Sequence, residues 1–164
     1  MGGMALALVL VFLAAAVARR PAAAPPIERA GTPDAPRLVT IVMRDYVFVP
    51  GNVAVVPGET VRLSVLNGGL VPHELVLGDA AFHAAWASAD AAATPPAPFA
   101  TPPPASVASE ATSRGVRLLL GSGAQETAAF VIPSGEVGLS IVCHLPGHEA
   151  RGMVATVTTV SSER

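Results

Sequence analysis

Eleven residues near the C-terminus, Cys143-His144-Leu145-Pro146-Gly147-His148-Glu149-Ala150-Arg151-Gly152-Met153, set the tightest condition on the fold. They hold the one cysteine of the chain, a histidine five residues on, and a methionine five residues after that. A thiolate, an imidazole and a thioether are soft donors that suit copper. A trigonal His2Cys set with a weak axial Met is the arrangement of electron-transfer copper sites. The run supplies one histidine at the right spacing, so the fold must deliver another. The best candidate is His73, in Gly68-Gly69-Leu70-Val71-Pro72-His73-Glu74-Leu75.

The rest of the chain reads as short β-like runs between turn signals. Arg37–Met43 is β-branched and apolar. Tyr46–Val49 and Val53–Val56 flank a Pro50-Gly51-Asn52 turn. Thr60–Leu66 alternates, with Val61, Leu63 and Val65 on one side. His73–Leu77, Val116–Leu120, Thr127–Ile132, Leu139–Cys143 and Val154–Val160 complete about eight strands, estimated from pattern alone. Such a series predicts an all-β sandwich or barrel.

Three elements together carry a resemblance: C-x4-H-x4-M ending in P-G-H-x-x-x-G-M, the upstream Val71-Pro72-His73-Glu74-Leu75-Val76, and Phe48-x-Pro50-x-x-Val53-x-Val55-x-Pro57-Gly58-x-x-Val61. The chain resembles the type 1 (blue) copper proteins of the plastocyanin/azurin-like cupredoxin family from about Pro36 to Val160. The Cys-to-His spacing is of the rusticyanin and auracyanin type. The resemblance implies a Greek-key β-sandwich and one copper ion held by His73, Cys143, His148 and Met153. It also implies one-electron Cu(II)/Cu(I) cycling, with no enzymatic activity. Docking of a redox partner is expected near His148, through an apolar collar of Leu70, Val71, Leu145, Pro146 and Gly147. A monomer is expected. Glu74 stands where several family members carry a small polar residue, which leaves the surroundings of the thiolate open.

Between Asp79 and Arg114 the strand pattern breaks, and residues 80–114 read as an insert in a 37–160 domain. Ala80–Ala92 is alanine-rich with Phe82, Trp86 and Ala89 at helical spacing, which predicts a short helix. Ala93–Ala105 holds six prolines, which no helix or central strand tolerates. Residues 19–36 read as an Ala/Pro-rich linker. Met4 to Ala18 is continuously apolar but shorter than the ~20 residues of a bilayer span. Ala16-Val17-Ala18 reads as a cleavage site, so residues 1–18 are expected to be a signal peptide or an N-terminal membrane anchor. Either reading exports the domain to the periplasm or another extracytoplasmic face.

A net charge of −2, no lysine, and one Tyr and one Trp give nucleic-acid binding no support. His144 is expected to point away from the copper, since neighbours on a strand face opposite ways. His83 is expected to be solvent-exposed in the insert, and Met43 to be core. Two other functions stay open. A copper-binding or delivery protein without an electron-transfer role would use the same residues. An oxidase or copper nitrite reductase would need further copper centres, with more histidines than the four present.

Overall fold

The computed structural model describes residues 27–92, 106–112, 114–135 and 138–162. The N-terminal apolar segment and the proline-rich stretch 93–105 lie outside them. The described residues form a Greek-key sandwich of two sheets. The first has the order β2-β1-β4-β8, built from β1 (Arg37–Arg44), β2 (Val47–Val49), β4 (Thr60–Asn67) and β8 (Gln125–Val131). The second has the order β3-β10-β9-β5-β7-β6. Its strands are β3 (Asn52–Val55), β5 (His73–Gly78), β6 (Ser106–Thr112), β7 (Gly115–Leu120), β9 (Ser140–Val142) and β10 (Val154–Thr159).

Alternation decides what each strand buries. In β4, Val61, Leu63 and Val65 point inward, and the parallel partner β1 sets Val39 and Ile41 opposite Leu63 and Val65. The facing sheet answers with Leu75, Leu77, Leu118, Leu120 and Ile141. Each such side chain, fully buried, contributes roughly 1.5–3 kcal/mol.

Strand β5 is buried at every position, because both of its faces are covered. His73, Leu75 and Leu77 face the core. Glu74 and Val76 face outward, under helix α1 (Ala80–Ala92). Asp79 caps that helix by accepting a hydrogen bond from the Phe82 amide at 2.8 Å. Phe82 then seats its ring where Gly78 and Gly115 have no side chain; a Cβ at either would strike the ring. Trp86, one turn on, takes the Arg117 guanidinium 4.3 Å from its ring centroid.

Within the 80–114 segment, Ser106–Thr112 forms edge strand β6 against β7, with a register irregularity between Ala108 and Thr112. One reading of the sequence needs correction. Tyr46 is not in a strand. It occupies the two-residue β1–β2 turn at φ +67°.

Candidate metal centre

The hydrogen bonds of Asn67 fix the approach to His73. Asn67 is fully buried, and its amide donates to the carbonyls of Val71 and Leu120, both at 2.9 Å. Its Oδ1 accepts from the Gly69 amide at 2.9 Å. These bonds pin residues 68–72 and present His73 at the start of β5. Gly69 must be glycine here, since a Cβ would collide with Asp45 and with the His73 ring.

The second half of the site is the loop after β9. Cys143 is fully buried and donates its amide to the Met153 carbonyl at 3.2 Å. The loop turns at Gly147 (φ +80°), runs through a 3₁₀ turn at Glu149–Arg151, and leaves through Gly152 (φ +90°). The Met153 amide donates back to the His148 carbonyl at 3.1 Å. Positive φ at two non-strand positions explains both glycines of the motif. Met153 itself is fully buried in the core beside Cys143.

One donor atom from each of His73, Cys143 and His148 lies within 4.8 Å of the other two. The Nδ1 atoms of His73 and His148 are 3.2 Å apart, and Cys143 Sγ is 3.3 Å from His148 Nδ1. The thiol sulfur accepts a hydrogen bond from the Glu74 amide at 3.5 Å.

Protonation favours a metal at this point. The Nε2 of His73 lies 3.1 Å from the Asp45 carboxylate, which holds the ring proton there and leaves Nδ1 as a lone-pair donor. That contact with His73, and next the Leu70 amide, hold the Asp45 carboxyl below the usual carboxylate range. The His148 pKa is lowered, first by burial and then by the neighbouring His73, so its neutral form is favoured. Two imidazole nitrogens and a buried thiol that converge on one point fit a single copper ion of the type 1 kind.

Two residues near the site carry no signal in the motif. Asp45 and Tyr46 both come from the β1–β2 turn. The Tyr46 ring meets His148 edge-on at 5.0 Å between centroids and His73 at 6.1 Å, and Arg151 lies 4.3 Å from its centroid on the other side. A non-glycine residue at positive φ costs on the order of 1–3 kcal/mol, and such residues gather at functional sites.

Of the other histidines, His144 is outside the converging group, as expected. His83 departs from expectation. It is half-buried and lies against His144. Glu74 turns its carboxylate toward Arg117 and the His144 amide, while its own backbone amide meets the sulfur.

No protein-family model matches the chain. Among curated proteins, it is 36% identical over 124 residues to the copper-resistant cuproprotein CopI of Rubrivivax gelatinosus, covering 75% of this chain and 66% of that protein. It is 46% identical over 50 residues to the protein of the same name from Pseudomonas aeruginosa, covering 30% of this chain and 28% of that one. The chain thus spans just under two thirds of the first relative and far less of the second. Among solved structures, it is similar to the reduced auracyanin of Roseiflexus castenholzii, with a TM-score of 0.58 and 20% identity, covering 76% of this chain and 97% of that one. Auracyanin A of Chloroflexus aurantiacus, described as a blue copper protein, gives a TM-score of 0.53 at 23% identity, covering 75% and 99%. An azurin of Methylomonas sp. strain J gives 0.56 at 19% identity, covering 77% and 100%.

Proposed function

We propose that this blue copper protein of cupredoxin fold is an exported, monomeric one-electron carrier. The convergence of His73 Nδ1, His148 Nδ1 and Cys143 Sγ carries this reading. Those three atoms would hold copper, and the Met153 thioether would supply a fourth, weaker donor. Bound copper supplies one-electron exchange between Cu(II) and Cu(I).

The chain's own part is to keep the donors where they are in both states. Asp45 fixes the His73 tautomer, the Glu74 amide steadies the sulfur, and the Tyr46 ring packs against both imidazoles. Cys143 and His73 are fully buried, which excludes water from that side. A partner would dock at the His148 end. There Leu70 is 86% exposed, and Pro146 and Gly147 are exposed as well. A small apolar collar of this kind suits brief redox encounters.

A second reading, copper binding or delivery in copper tolerance, draws support from the similarity to the two copper-resistant cuproproteins. Copper exchange separates the two. A delivery protein gives up its metal to an apo-acceptor within the encounter, whereas a carrier keeps the metal and passes the electron. Mixing copper-loaded protein with a metal-free acceptor, and separately with an oxidised redox protein, reads both rates.

Three substitutions test the assignments at the site. In Met153→Gln an amide oxygen should favour Cu(II) and lower the reduction potential. In Met153→Leu loss of the thioether should raise it. Both variants should still bind copper. Matching potentials in voltammetry would make Met153 core packing alone. Asp45→Ala should weaken copper binding by roughly 10–100-fold, the usual effect of losing the partner that orients a ligand histidine. Competition against a chelator of known affinity measures this. An unchanged affinity would remove Asp45 from the site.

A further inference from the structure

A second pair of imidazoles meets on the outer face of the second sheet, where α1 packs. His83, in the first turn of α1, and His144, next to Cys143, place Nδ1 and Nε2 3.0 Å apart. The rings meet edge-on at 5.2 Å between centroids.

The outward nitrogen of the His83 ring is already engaged. His83 Nε2 lies 3.2 Å from the Ser140 carbonyl and 3.0 Å from the Ser140 hydroxyl. A carbonyl oxygen can only accept, so the ring proton belongs on Nε2. His83 therefore turns its Nδ1 lone pair to His144 Nε2, and either a proton or a metal ion can lie between the two nitrogens. His144 Nδ1 faces the Glu149 carboxylate across 3.6 Å, longer than a hydrogen bond. Two imidazole nitrogens bound to one tetrahedral ion at 2.0–2.1 Å would stand about 3.3 Å apart, close to the separation seen here. A carbonyl on one outer nitrogen and a carboxylate near the other is also the arrangement that orients metal-binding histidines.

We propose that His83 and His144 are the protein ligands of a second transition-metal site. It takes a divalent ion that favours imidazole, zinc(II) or copper(II), with water completing the coordination. The site does not depend on the Cys143 centre. Its frame is firm: the Asp79 cap and the Phe82 ring fix the first turn of α1, and the Glu74 carboxylate accepts from the His144 amide at 2.7 Å. With only two protein ligands it is a weaker site than the three-donor centre, and it fills after that centre.

The test is a zinc titration of copper-loaded protein, followed by calorimetry and by metal analysis after gel filtration. One zinc per chain should bind the wild type beyond the copper already held. His83→Ala and His144→Ala should each weaken that uptake at least tenfold, and His83→Ala should keep the copper absorption unchanged. The visible band reports on the Cys143 centre separately, so failure of either site is seen on its own. No zinc uptake in the wild type would mean that the rings share only a proton, and would overturn the proposal. Undiminished uptake in both variants would overturn it too. If His144→Ala does not fold, His83→Ala, half-buried in the first turn of α1, decides the matter.

Discussion

Arg117→Ala is expected to destabilise the domain by about 3–5 kcal/mol, the usual effect of leaving a buried charge without its partner. The Glu74 side chain is fully buried, and Arg117 is nearly so. Arg117 Nε donates to Glu74 Oε2 at 2.7 Å, and its Nη2 lies 2.6 Å from the same oxygen. The other carboxylate oxygen accepts from the His144 amide. Truncating Arg117 leaves the carboxylate in a dry environment without that guanidinium, and removes the cation from the Trp86 ring. Against a total stability of roughly 5–15 kcal/mol, the loss is large.

Depth is what separates this pair from the Asp79–Arg114 pair. That one is 3.0 Å across, but Arg114 is 59% exposed, and pairs of that kind are worth about 0–1 kcal/mol. Urea denaturation of Arg117→Ala and Arg114→Ala, side by side, tests the contrast. The double variant Glu74→Gln/Arg117→Met should recover much of the loss, because neither buried charge then remains. If Arg117→Ala unfolds at the wild-type midpoint, water reaches the carboxylate and the pair is not buried in solution.

The spacing of Cys143, His148 and Met153 on one loop was legible because local chain geometry fixes it. The need for a distant histidine followed from the donor count, and His73 meets it. Helix α1 also falls where alanine content and the Phe82–Trp86 spacing place it. Partners set only by tertiary packing were not legible. Nothing in the residues around Asp45 marks it for His73, 28 positions away. His83 reads as a surface histidine until α1 folds onto β9 and sets it beside His144. Strand β6, with small residues in Ser106-Val107-Ala108-Ser109-Glu110-Ala111-Thr112, lacks the large alternating apolar side chains that mark a strand. Pairing with β7 makes it one, which is the context dependence of β-propensity.

Cys143→Ser is expected to abolish the intense visible absorption of the copper-loaded protein. The band arises from charge transfer from thiolate sulfur to Cu(II), and Cys143 holds the only sulfur among the three converging donors. A serine hydroxyl is a hard donor and keeps its proton at neutral pH, so it offers the metal neither the charge nor the polarisability of the thiolate. His73 and His148 would remain, still oriented by Asp45 and by the loop. Copper should therefore bind more weakly and give a pale, ordinary Cu(II) spectrum. The fold should survive, because serine is nearly the shape of cysteine and its hydroxyl sits within reach of the Glu74 amide. Burying that hydroxyl with one partner costs on the order of 1–3 kcal/mol, less than the stability of a typical domain. Absorption and electron paramagnetic resonance spectra of the two proteins, at equal copper content, read the result. Retention of the wild-type band in Cys143→Ser would show that the sulfur is not a ligand, and the one-electron reading built on this centre would fall with it.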